Sequence, residues 1–314
     1  MRKNGAALLA LTAFLHLPAS ANLRAPRQVD GMFSGALKIG LPPGAVVLLG
    51  ETLRISFPDF DTARLTPRDV VRVSAVYEFQ NTAPGPISLP VRFIALDLQE
   101  ITASLDGRPL EIRMVESPAD KSECLAALAS HRAAFLPGFY EDFLARLKSA
   151  GVSESRAPDP AKIPFGKVFR RTFETEPSAD FPTAEFLLTL VPGKNSLTVR
   201  YGQRMFIEER NHGYFAAWPE KGFTGFDYLL YPAQSWPMSP AFSLRLTVDV
   251  PDVRAKRLFF RFWKRPFLKS NIEFREEPGP VRRARTFRAD THGLPADILT
   301  ILLWTDKDAG RYLH

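Results

Sequence analysis

Hydrophobic and polar positions alternate along most of this chain with a period of two, the signature of strands with one face buried. In VVRVSAVYEFQN, Val71, Val73, Ala75, Tyr77 and Phe79 share one side, while Arg72, Ser74, Glu78 and Gln80 take the other. Pro84-Gly85 then sets a turn before a second run, ISLPVRFIALDL. Asp106-Gly107 stands between ITASL and RPLEIRM as a hairpin signal, and Pro192-Gly193 separates AEFLLTLV from NSLTVRY. Beyond Gly213 come FDYLLYP, FSLRLTVDV, KRLFFRFW, NIEFRE, RARTFRA and DILTILLWT, spaced by Pro and Gly as in an antiparallel sandwich.

One segment has a different period. Ser117-Pro118 offers an N-cap and a proline in the first turn, after which Leu125, Leu128, Arg132 and Phe135 follow at helical spacing. After Pro137-Gly138, Phe139, Phe143 and Leu147 make a second stripe that ends near Gly151. The pattern predicts a mainly β protein of two antiparallel β-sandwich domains, residues 22–212 and 213–314, with an α-helical hairpin inserted at 117–151. The domain boundary is expected near Asn211-His212-Gly213.

The N-terminus changes the picture of where the chain works. Arg2 and Lys3 precede the apolar run AALLALTAFLHL, then Pro18 and the small residues Ala19-Ser20-Ala21. This is the pattern of a secretory signal peptide cleaved between Ala21 and Asn22. Twelve apolar residues are too few for a bilayer-spanning helix, which takes about 20, so no transmembrane anchor is expected. A single cysteine, Cys124, rules out an intrachain disulfide. An exported chain so poor in cysteine fits the bacterial periplasm or cell surface better than a eukaryotic secretory route.

The combination of VVRVSAVYEFQN, LDGRPL, VPGKNSLTVRY and FDYLLYPAQSW followed by FSLRLTVDV resembles uncharacterised exported bacterial β-sandwich proteins. Its first part is distantly similar to the vault/inter-alpha-trypsin type of sandwich domain, from which the helical hairpin departs. The resemblance implies a fold and carries over no functional residue.

Motifs for chemistry are sparse. GMFSG at 31–35 is not a nucleophile elbow. Cys124 and His131 share a helix face but stand two turns apart, about 11 Å, too far for a nucleophile and its base. His131, His212, His292 and His314 are scattered, and no metal or cofactor is expected. Asp59 and Asp61 fit turn caps better than a calcium loop lacking further ligands. Catalytic residues are therefore none by this reading.

Two features stand above that background. Between Tyr214 and Trp236 lie eight aromatics; Phe226, Tyr228 and Leu230 alternate as core residues do, and Trp218 and Trp236, beside prolines, are the candidates for stacking on a glycan. The other is charge. The chain carries +7 overall, but residues 254–288 hold twelve Lys or Arg against three Glu. Within it, RLFFRFWKRPFLK is broken by Pro266 and does not gather its aromatics on one helical face, so a strand is the better reading. As a strand it places Phe260 and Phe262 on one face and Arg261, Trp263 and Arg265 on the other. The basic set Arg257, Arg261, Lys264, Arg265, Arg282, Arg283 and Arg285 is either a solvated sheet face or a site for anionic envelope polymers or an acidic envelope protein. Nucleic acid is not expected in that compartment. The expected function is an exported, noncatalytic binding or scaffolding protein of the cell envelope. A glycan-binding protein, or a polymer hydrolase whose acids meet only in the fold, is the alternative.

Overall fold

The computed structural model describes residues 23–24, 45–58, 70–95, 98–118, 122, 124–128, 130–131, 134–135, 182–204, 206–210, 220–257, 260–264, 266–278 and 283–304. The protein is mainly β. An eight-stranded sheet is its spine, containing β2 (Val46–Ser56), β3 (Val70–Asn81), β5 (Leu98–Leu105), β6 (Arg108–Pro109), β9 (Gly193–Arg204), β12 (Met238–Pro251), β16 (Arg275–Pro278) and β17 (Ala284–His292). Their order is β16-β17-β12-β2-β3-β9-β5-β6. A four-stranded sheet joins β1 (Leu23–Arg24), β4 (Ile87–Ile94), β8 (Thr183–Leu190) and β7 (Arg113–Val115), in the order β1-β4-β8-β7. Another joins β10 (Phe206–Arg210), β11 (Glu220–Leu229), β18 (Ile298–Trp304) and β15 (Phe267–Ser270). Finally, β13 (Val253–Arg257) and β14 (Phe260–Lys264) form a two-stranded ribbon.

The period-two reading explains the spine. Val71, Val73, Ala75, Tyr77 and Phe79 of β3 are all buried, as are Leu197, Val199 and Tyr201 of β9 and Leu244, Leu246, Val248 and Val250 of β12. These inner residues meet both four-stranded sheets in one hydrophobic cluster. Phe93 of β4 reaches Tyr201 edge-on at 5.2 Å, and Phe226 of β11 meets Phe57, just past β2, at 6.3 Å. Burying the side chains of such a seam contributes about 1.5–3 kcal/mol each.

The boundary expected at 212/213 does not separate the strands. β12 lies beside β2 in parallel, with Leu246 opposite Leu53 and Val248 opposite Ile55. Strands from both sides of that point therefore share a sheet and a core.

Turns between runs sort into two kinds. Asp106 and Gly107 both have positive φ, 49° and 79°, and close the β5–β6 hairpin as expected. Pro84-Gly85 and Pro192-Gly193 instead lie where the chain crosses between sheets, because β3 and β9 belong to the spine while β4 and β8 pair with each other. Two buried asparagines hold these corners. Asn81 Nδ2 donates to the carbonyls of Leu190 (2.9 Å) and Gly85 (3.0 Å), and Asn195 exchanges side-chain bonds with the Val191 backbone.

The inserted helical hairpin is not reproduced as a described element. Residues 118, 122, 124–128, 130–131 and 134–135 are helical, while the second stripe at 139–151 lies outside the described residues. Cys124 and Leu128 pack with Leu229 of β11 and Ile298 of β18, so the helical residues cover the side of that sheet facing away from the spine.

Candidate functional site

Three groupings bring chemistry-bearing side chains or charges together, and the sequence reading had singled out only one of them. The basic stretch is a strand: β14 pairs with β13 in a hairpin of its own, with no partner strand in the larger sheets among the described residues. Its register places Lys256 opposite Arg261 and Arg254 opposite Trp263 on one face. Arg257 opposite Phe260, Ala255 opposite Phe262 and Val253 opposite Lys264 occupy the other. The expected basic set is thus divided, since Arg261 stands at a different face from Arg257 and Lys264.

The hairpin root is fixed to β17. Asp252 N donates to Arg283 O (2.7 Å), and the Arg285 guanidinium donates to the Pro266 carbonyl. Arg285 also meets Glu276 at 3.3 Å and lies over the Phe287 ring at 5.2 Å. It is engaged inside the fold, which removes it from the expected anion site. Arg283, exposed with φ +69° in the turn before β17, stands at that root. Arg265 and Arg282 lie outside the described residues, as do Ala21, Asn22, Asp59, Asp61, His212, His314, Trp218 and the GMFSG stretch.

Trp236 is not available to a glycan. It is 4% exposed and packs on Phe79 with ring centroids 4.8 Å apart, because the turn at Tyr231–Ser235 carries it into the seam between sheets. Glu276 meets Arg285 of β17 at 3.3 Å, and Glu277 meets Arg275 of its own strand at 2.7 Å and Arg288 of β17 at 3.3 Å. His292 is exposed at the end of β17. Among the described residues no three His, Cys, Asp or Glu are grouped to hold a metal.

The second grouping was missed. Glu51 of β2 is only 2% exposed and lies among tyrosines from three strands. Its placement comes from a bulge. Leu48 stands opposite Phe79 and Gly50 opposite Glu78, so Leu49 has no partner on β3. Before the bulge Val46 and Leu48 point inward; after it Glu51, Leu53 and Ile55 do, with Glu51 directly opposite Tyr77. Gly50 permits the close approach of β12, for a Cβ there would sit 3.0 Å from the Ser243 carbonyl oxygen.

The Tyr228 hydroxyl on β11 donates to Glu51 Oε1 at 2.8 Å and lies 3.1 Å from the Tyr77 hydroxyl. Among the described residues Oε2 has no hydrogen-bond partner. Desolvation raises the Glu51 pKa from 4.5 to about 7, and the bond from Tyr228 only partly offsets that rise. Burial and the nearby carboxyl push Tyr77, Tyr201 and Tyr228 well above the usual phenol range, so all three remain donors.

The third grouping is Asp227, 2% exposed, on the opposite face of β11. The Thr300 hydroxyl donates to Asp227 Oδ1 at 2.5 Å and faces His131 Nε2 at 2.8 Å, while His131 stacks on Phe135. Cys124 is buried and His131 bonds to β18, so each ties the helical residues to the sheet.

No family model matches the chain, and no curated protein matches it. Among solved structures it is similar to a candidate nutrient binding protein from Legionella pneumophila, at 11% identity, covering 93% of this chain and 74% of that one, with a TM-score of 0.47. It is also similar to an M1 zinc metallopeptidase from Deinococcus radiodurans, at 12% identity and a TM-score of 0.32, covering 82% of this chain. The chain spans 42% of that peptidase's length.

Proposed function

We propose that this chain is an exported, noncatalytic binding protein of the bacterial cell envelope, and that it holds anionic envelope polymers on the Arg254, Lys256, Arg261 and Trp263 face of the β13–β14 hairpin. The observation that carries the reading is the register pairing Lys256 with Arg261. Like charges directly opposite each other in a ladder cost stability, and a lone two-stranded ribbon has little to spare. A linear anion laid along the face offsets the repulsion and gains the field of three cations. Export is supported by the Arg2-Lys3 pair, the apolar run and Ala19-Ser20-Ala21.

The test is titration of the purified protein with lipopolysaccharide and with heparin across a salt series. Each cation near an anionic surface contributes about 1 kcal/mol, so Lys256→Ala with Arg261→Ala should weaken binding about thirtyfold. Affinity should also fall steeply as salt rises. Binding that ignores salt, or that survives the double substitution, would contradict the proposal.

A further inference from the structure

We propose that Glu51, Tyr77 and Tyr228 form a proton-operated latch between the spine and the β11 sheet, closed while the carboxyl is neutral and loosened when it ionises. The geometry places the latch across the seam. Glu51 and Tyr77 belong to β2 and β3, whereas Tyr228 belongs to β11, and the two hydroxyl contacts are polar links between these layers. Every described element packed against the carboxyl presents either an apolar group or a phenol. Tyr77 faces it from β3, Tyr201 from β9 and Tyr228 from β11, while its partner on β12 is Leu244. Among the described residues no cation faces it, and Asp227 is turned to the other side of β11 toward Thr300.

An ionised Glu51 would therefore sit in apolar packing with Tyr228 on one oxygen and no described partner on the other. Opening the seam to water relieves that cost. In the folded protein the carboxyl keeps its proton up to about pH 7, whereas in the unfolded chain it loses it near 4.5. The folded state thus binds more protons between those values, so this group's contribution to stability is full below pH 4.5 and lost as pH rises through about 7.

Amide hydrogen exchange from pH 5 to 9, corrected for intrinsic chemistry, reads the latch directly. Protection of Phe226–Leu229 and of β18 should fall on the order of a hundredfold between pH 5 and about 7 and level off above it. Glu51→Gln, which keeps the shape and cannot ionise, should abolish that fall. Tyr228→Phe removes the donor that favours the charged form, so the midpoint should move to higher pH. The proposal is overturned if Glu51→Gln retains the pH response, or if Glu51→Gln does not fold and Tyr228→Phe leaves the midpoint unchanged.

Discussion

At the residue scale, one inserted position decides the chemistry of the interior. Reading VVLLGETLRIS in strict alternation from Val46 sends Glu51 to solvent, as a glutamate in a strand usually goes. The unpaired Leu49 reverses the phase and turns Glu51 inward. A glycine next to an acid inside an apolar run was the available signal, and only the partner strands reveal the bulge it marks. Gly50→Ala should cost about 1–3 kcal/mol in urea unfolding, because its methyl meets backbone that cannot swing aside. Glu185 carries the opposite pH sign from Glu51. Arg113 and Arg92 bind it at 2.5 and 2.7 Å and lower its pKa, so its contribution is present above the unfolded value and lost as pH falls. Thermal unfolding should consequently show greatest stability on the acid side of neutrality in the wild type. Glu51→Gln should flatten only the alkaline limb.

At the scale of elements, β3, β11, β12, β17 and β18 fall on the runs that alternation marks, whereas β2, its phase broken by the bulge, was not marked. The strand character of FRFWK was equally legible. Its partner was not, since the VRAKR segment of β13 has no alternation of apolar residues to announce it. Pairing then redistributes the basic residues between two faces, which no inspection of one strand alone could foresee. If the Lys256–Arg261 pair is kept for a ligand rather than for stability, Lys256→Glu should stabilise the hairpin by about 0.2–1 kcal/mol. The same change should weaken polyanion binding. Hydrogen exchange of the ribbon and a binding titration on one preparation would measure both effects.

At the scale of the molecule, the parallel pairing of β12 with β2 joins segments nearly two hundred positions apart, and nothing local encodes such a contact. Pro192-Gly193 likewise reads as a hairpin turn in sequence, yet it carries the chain between layers, because Asn81 and Asn195 satisfy the backbone at both corners. Shared sheet and core predict one cooperative unfolding transition with calorimetric and van't Hoff enthalpies in agreement. Two resolved transitions would show instead that the halves melt separately. Trp236→Ala, at the seam, should lower stability by about 3–5 kcal/mol and leave the transition single.

The anionic-polymer reading meets its most direct test in one comparison. Lipopolysaccharide binding at low salt would be measured for the wild type, for Lys256→Ala with Arg261→Ala, and for Arg200→Ala with Arg245→Ala, two exposed arginines on the outer face of the spine. Loss in the hairpin variant alone is the predicted result. Equal loss in both variants would assign binding to general surface charge, and no loss in either would remove the hairpin from function altogether.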